Sequence, residues 1–249
     1  MSIKINYKSS SQVKNSSNLI LFSDENYNIS SLKKYFSGKE YSFIEDLLKT
    51  RDIKKKIQSF DINSKKKIIL VSVRKNLKSS EVENLGAKFY DQFKDSKQNE
   101  YNLNSDTASG HLKNIVGYFL HGLKLKSYSF EKYKTKKNIK KISINVIGKN
   151  IPNKLNQLKF KSIEEGTFYA RDLVSEPGNI LHPDEYSKRI NSLRKFGLKV
   201  KIYDEQQLKK LGMNTLLGVG QGSIRGSYLV TMEWNGAKNN SKPLAFVGK

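Results

Sequence analysis

At 249 residues the chain has room for one large domain or two small ones, and 37% apolar with 10% aromatic residues excludes a disordered-protein composition. The absence of cysteine excludes disulfides and thiolate zinc sites; no run reaches transmembrane length, no signal-peptide pattern opens the chain, and a cytoplasmic, membrane-free setting is expected. A net charge of +23 invites a nucleic-acid reading, but only six of 46 basic residues are arginine, the better phosphate and base fork, and the lysines are scattered in small clusters such as Lys54-Lys55-Lys56 and Lys65-Lys66-Lys67.

Strands and helices alternate through the first part. Ile3 to Tyr7 and Asn18 to Phe22 read as strands separated by a polar turn over 9–17. Lys66 to Val73, short and rich in β-branched residues, reads as a buried central strand. A helix follows, with Ser80 and Glu83 at capping-box spacing and Val82, Leu85, Phe89 and Phe93 on one face. Asn99 to Leu103 is a further strand. A helix is expected from about Asp106 to Lys124, with a wide apolar stripe from Leu112 through Ile115, Val116, Phe119 and Leu120 to Leu123. Ile142, Ile144 and Val146 alternate with Ser143 and Asn145, the pattern of a strand. This rhythm implies a sheet covered by helices.

Residues 148–153 read as a break. A helix is then expected from Leu155 to Val174, with Ile163, Thr167, Ala170 and Val174 on one side, ending before Pro177. Pro183 opens another helix, with Tyr186, Ile190 and Leu193 as its face and Gly197 as a C-cap. Leu198 to Tyr203, Ser227 to Trp234 and Leu244 to Val247 read as strands, and Glu205 to Leu211 as a short helix.

The motifs hold no complete catalytic constellation. Gly218-Val-Gly-Gln-Gly222-Ser223 lacks the third glycine of a dinucleotide fingerprint and leads into a strand, so its glycines are read as a tight turn. His111, His121 and His182 have no partner at metal-ligand spacing and read as helix-face or cap residues. Glu164-Glu165 and Asp204-Glu205 point apart on any regular element and read as solvated charges.

The segment Tyr169-Ala-Arg-Asp-Leu-Val-Ser-Glu-Pro-Gly-Asn-Ile-Leu-His-Pro183 resembles the signature that opens the catalytic domain of the cytosol (leucyl) aminopeptidases, with Ser175, Gly178 and His182 as departures. Leu211 to Ser223, Glu233-Trp-Asn-Gly236, Pro243 to Lys249 and, upstream, Gly122 to Lys136 are similar to further stretches of that family in the same order. The resemblance covers Gly122 to Lys249. It implies an α/β chain: a macro-like α/β domain over 1–148, then over 149–249 a linker helix and the start of the metallopeptidase catalytic domain.

The resemblance also implies an enzyme that releases leucine-type N-terminal residues from peptides, two divalent metal ions (Mn or Zn), and a homohexamer. It places Lys249 on the family's first metal ligand and assigns no catalytic or cofactor-binding residue to this chain. Arg171, Asp172 and Glu176 are expected to form interdomain salt bridges and a helix cap. The chain is thus expected to be the front part of an aminopeptidase, inactive alone. The rival readings are a basic α/β module that binds nucleic acid and an inactive scaffold subunit.

Overall fold

A computed structural model of the chain describes residues 3–8, 18–108, 112–136, 141–236 and 242–248. Short aliphatic and β-branched runs build its main sheet: β1 (Ile3–Tyr7), β2 (Asn18–Ser23), β3 (Ile57–Asn63), β4 (Lys66–Ser72), β5 (Glu100–Asn104) and β6 (Ile142–Ile147), in the order β1-β6-β5-β2-β4-β3. All are parallel except β3, which runs antiparallel to β4. The tight β3–β4 turn is held by the Asn63 side chain, whose Oδ1 accepts the N–H groups of Lys65 and Lys66 at 2.8 and 2.9 Å. The first two strands of the sequence are not neighbours, because β6 and β5 lie between them; the turn expected over 9–17 lies outside the described residues. β4 is flanked on both sides, as its apolar run requires.

Period-2 patterning sends alternate residues to opposite faces of the sheet. Ile20, Phe22, Ile69, Val71, Tyr101, Leu103, Ile142, Ile144 and Val146 face one core, covered by α2 (Ser79–Phe93) and α3 (Ile115–Lys126). Rings interlock there edge to face: Phe22 with Phe119 at 5.5 Å, and Phe89 with Tyr101 at 5.4 Å. On the opposite face, Leu21, Phe60, Ile68 and Leu70 pack against Ile44 of α1 (Gly38–Thr50). The β5–β6–β1 half of that face is polar. Asn6 donates to Asn145 Oδ1 at 3.1 Å, and Asn145 donates to Asn102 Oδ1 at 3.1 Å and Glu100 Oε1 at 2.9 Å. Side-chain amides thus satisfy one another where apolar residues fill the rest.

Two helices differ from expectation at their starts. α2 begins two residues earlier than Ser80–Glu83 spacing suggests: the N-cap is Lys78, and Glu81 Oε2 accepts the Lys78 N–H at 2.9 Å. α3 begins at Ile115, not near Asp106. Asn114 has φ +63°, a left-handed conformation that no helix can run through, and residues 105–108 form only a 3₁₀ turn. α2 and α3 cross with almost no space between backbones. A Cβ on Gly86 would sit 1.9 Å from Phe119 O, and one on Gly122 would sit 1.9 Å from Glu83 O.

The chain divides into two compact units, Met1–Asp172 and Leu173–Lys249, and the division falls inside α4 (Lys154–Ser175). The second unit carries α5 (Pro183–Asn191), a 3₁₀ turn (Ser192–Phe196), β7 (Lys199–Tyr203), α6 (Glu205–Lys210), α7 (Asn214–Gly220) and β8 (Leu229–Glu233). β7 and β8 pair antiparallel, and Ile190, Val200 and Leu208 are its buried hydrophobic residues. Gly197 closes the 3₁₀ turn at φ +92°, the cap role its position predicts. Asp204 caps α6, with Oδ1 accepting Gln207 N–H at 2.9 Å and Gln207 Oε1 accepting Asp204 N–H at 3.1 Å.

The strand expected over Leu244–Val247 does not form. Residues 242–248 are irregular, pair with no strand among the described residues, and leave Leu244, Phe246 and Val247 exposed, the last at 99%. An isolated extended run has no ladder to join.

Candidate functional site

In the first unit, α3 and α4 meet through a buried His–Glu contact. His121 Nδ1 lies 3.1 Å from Glu164 Oε1, with side chains 6% and 12% exposed. Beside it the Phe160 ring lies 5.2 Å from the imidazole. Gly117 makes room for that ring, since a Cβ there would fall 2.4 Å from Phe160 Cε2. A cavity of about 240 Å³ opens between β1, α3 and α4, with Tyr7, His121, Glu164 and Phe168 among its walls. Burial, and then the Glu164 carboxylate, push the Tyr7 hydroxyl up to about 12, so it remains a protonated donor near neutral pH.

Glu164 is therefore not a solvated charge. Position 164 shares a helix face with Phe160 and Phe168, four residues either way, while Glu165 sits at the cavity rim, 54% exposed and 3.8 Å from Lys161 Nζ. The packed side of α4 also differs from expectation: Ile163 and Val174 are 43% and 87% exposed, about 100° around the helix from Glu164. His121 occupies the helix-face role read from the sequence; His111 lies outside the described residues.

Arg171 and Asp172 make hydrogen bonds where ion pairs were expected. Arg171 Nη1 donates to Leu125 O at 2.6 Å, and its guanidinium lies 5.5 Å over the Tyr128 ring. The Tyr128 hydroxyl donates to Asp172 Oδ1 at 2.9 Å. In the second unit Glu176 does form an ion pair, 3.0 Å from Arg189 Nη1, with its own side chain 2% exposed.

Asp184, in the first turn of α5, is the hub of the second unit. Tyr228 donates to its Oδ1 at 2.7 Å, His182 Nδ1 lies 3.1 Å from Oδ2, and Arg225 Nη1 lies 3.7 Å from it. Nearby, Glu205 Oε1 accepts the Ser227 N–H at 2.9 Å, so Glu205 too is engaged. The Tyr228 hydrogen bond, with His182 and Arg225 behind it, outweighs desolvation and holds the Asp184 carboxyl below its usual range. A depressed carboxylate contributes stability above its unfolded pKa and loses it as pH falls through the folded one. Tyr228→Phe is thus expected to weaken the second unit at neutral pH, with the deficit closing as pH drops below about 4. Trp234, the chain's one tryptophan, reports this unit by fluorescence; a deficit independent of pH would contradict the assignment.

Of the glycines at 218, 220 and 222, only Gly220 makes a close approach, and none has the positive φ of a left-handed turn. Gly218 and Gly220 lie in the last turn of α7, and a Cβ on Gly220 would meet Ser227 Oγ at 2.0 Å. The loop thereby brings Ser227 and Tyr228 back toward α5 and α6.

Residues 168–249 match the catalytic domain of the cytosol aminopeptidase family. Over 137 residues the chain is 44% identical to a "Probable cytosol aminopeptidase" of Brucella anthropi, a stretch that covers 51% of this chain and 27% of that protein. The chain therefore spans about a quarter of the length of the curated relatives it matches. A tomato leucine aminopeptidase mutant has the same fold at TM-score 0.72 and 17% identity, over 92% of this chain and 50% of that one. The bottromycin maturation enzyme BotP in complex with Mn follows at TM-score 0.65 and 15% identity, over 88% and 45%.

The cytosol aminopeptidase match frames the metal question. Among the described residues no group of three or more His, Asp or Glu side chains could hold a metal ion, so these residues do not by themselves fit a two-metal centre. Lys249 lies outside the described residues. Within residues 168–249, Arg171, Asp172, Glu176 and Asp184 are all engaged in structural contacts. Sequence reasoning missed the Asp184–Tyr228 hub, because its members stand 44 residues apart and no local spacing joins them. Among the described residues no helix is long and apolar enough to cross a membrane.

Proposed function

We propose that this chain is part of a metal-dependent aminopeptidase that releases leucine-type residues from the N-termini of peptides. In this reading residues 1–148 form a macro-like domain and 149–249 open the catalytic domain. The 44% identity over 137 residues to a protein bearing the cytosol aminopeptidase name carries it, and the family match over 168–249 supports it.

Lys249 is proposed as a ligand of one of two divalent ions, Mn or Zn. Such a role needs an uncharged amine, which burial and neighbouring cations favour. Ions held there would supply Lewis-acid chemistry, polarisation of a scissile carbonyl and activation of a water. The Asp184 hub and the Glu176–Arg189 pair fix α5 and the loop before β8. A cytoplasmic location and a homohexamer belong to the same proposal; the relatives' name supports the first.

Residues 1–249 with Mn²⁺ and a leucine anilide are expected to give no hydrolysis. A chain carrying residues 1–249 within the full length of its relatives is expected to hydrolyse it, to lose activity to a chelator and regain it with Mn²⁺, and to lose it on Lys249→Ala. Metal-independent hydrolysis, or none by this longer chain, would overturn the reading. The nucleic-acid alternative is weakened by two of its own lysines. Lys66 pairs with Glu40 at 2.6 Å and Lys67 with Asp61 at 2.7 Å, which lowers the charge they offer to phosphate.

A further inference from the structure

We propose that the cavity between β1, α3 and α4 binds a free α-amino acid with an apolar side chain, held as its zwitterion. The cavity lies wholly within Met1–Asp172. Its volume of about 240 Å³ falls below the roughly 300–1,000 Å³ of drug-sized sites, which limits the ligand to a small metabolite.

The walls carry three kinds of group. Ile5, Leu120 and Phe160 supply an apolar surface. Glu164 and Glu165 supply negative charge, and Lys124 and Lys161 supply positive charge. In a chain of net charge +23, the largely buried Glu164 carboxylate on the cavity wall is a local exception and forms a place where an ammonium group is attracted, while Glu165, at the exposed rim, lies 3.8 Å from Lys161 Nζ. Glu164 gives one oxygen to His121, and an ionised carboxylate offers about four acceptor sites, so acceptor capacity remains. The protonated Tyr7 hydroxyl adds a donor for a ligand carboxylate.

Ligand classes separate on this charge pattern. A purely apolar ligand would strip water from Glu164 and Tyr7 without replacing their hydrogen bonds. A simple cation would face the two lysines, and a simple anion the two glutamates. A zwitterion answers both signs while its side chain takes the apolar wall. The site is also preformed, because the His121–Glu164 pair and the close approach of Phe160 to Gly117 fix two of its sides.

The choice of leucine as first probe rests on the aminopeptidase reading; the zwitterion site does not. Residues 1–249, in the presence of a chelator, are titrated calorimetrically with L-leucine, L-methionine and L-phenylalanine. L-leucinamide, which lacks the carboxylate, and 4-methylpentanoate, which lacks the ammonium, serve as controls. Saturable binding of an apolar α-amino acid is expected, weakened at least about tenfold by loss of either charge. Glu164→Gln is expected to weaken it similarly but could disturb packing. Glu165→Gln and Lys161→Met, at side chains more than half exposed, are expected to weaken binding about tenfold without changing the thermal melt. No binding of any of the three acids up to about 10 mM, or equal affinity for the singly charged controls, overturns the proposal. Methionine or phenylalanine binding in place of leucine supports the site and counts against a leucine-type enzyme. A silent cavity in a protein whose longer form cleaves leucine anilide overturns the site alone.

Discussion

Gly122→Ala is expected to destabilise the first unit by about 3 kcal/mol, the upper end of ordinary overpacking costs. The new methyl would lie 1.9 Å from Glu83 O, 2.4 Å from Glu83 C and 2.5 Å from Glu83 Cα. All three are backbone atoms of α2, so no side-chain rotation relieves the clash; the helices must move apart. Their separation would loosen the ring cluster of Phe22, Phe89 and Phe119 beneath them. At about 2–4 °C per kcal/mol for a unit of this size, the melting temperature should fall by about 6–12 °C. Gly86→Ala meets Phe119 O at 1.9 Å and should cost a similar amount. The double variant should cost less than the sum, because the first substitution already opens the crossing. Far-UV circular dichroism reads the effect, since the only tryptophan is in the other unit. A loss under about 1 kcal/mol would mean the crossing is not tight.

Arg189→Met is expected to cost the second unit about 3 kcal/mol or more, the penalty for breaking a buried pair from one side. Arg189 reaches two carboxylates, Glu176 at 3.0 Å and Glu185 at 2.9 Å. Glu176 dominates, because its side chain is almost wholly withdrawn from water and a charge there depends on its cation. Glu185 is partly solvated and contributes little. Glu176→Gln with Arg189→Met should recover much of the loss, since no buried charge is then left behind. Denaturant unfolding followed by Trp234 fluorescence measures the cycle. Additive single and double effects would remove the pair from the stability of this unit.

Much of the sheet is legible in the sequence because apolar alternation is local. The Ile142, Ile144 and Val146 series of β6 and the Val82, Leu85, Phe89 and Phe93 face of α2 stand where their periodicity puts them. Among the elements that escaped are α1 and β3. α1 carries a full capping box, Ser37 with Glu40, but Ile44 is its sole buried residue, so its apolar stripe is weak. β3 breaks its alternation with Asp61 and Asn63 at a bulge. Strand neighbours were not legible, since β1 finds β6 across 130-odd residues. The same distance problem hides the sites. Glu164 and His121 stand 43 residues apart, and only the folded α3–α4 crossing shows that one of two adjacent glutamates is buried. Family motifs pointed to Arg171, Asp172 and Glu176 by type, whereas the partners that decide their roles are set by tertiary geometry.

The exposed hydrophobic groups of the second unit, Ile224, Trp234, Leu244, Phe246 and Val247, have a consequence for how this polypeptide behaves in a test tube. Such a surface is adhesive, and only the large excess of lysine keeps molecules from meeting face to face. Added electrolyte shortens the reach of that repulsion from about 10 Å at 0.1 M to about 3 Å at 1 M. Dilute, low-salt buffers therefore favour dispersed chains, and concentrated brine drives them into clusters.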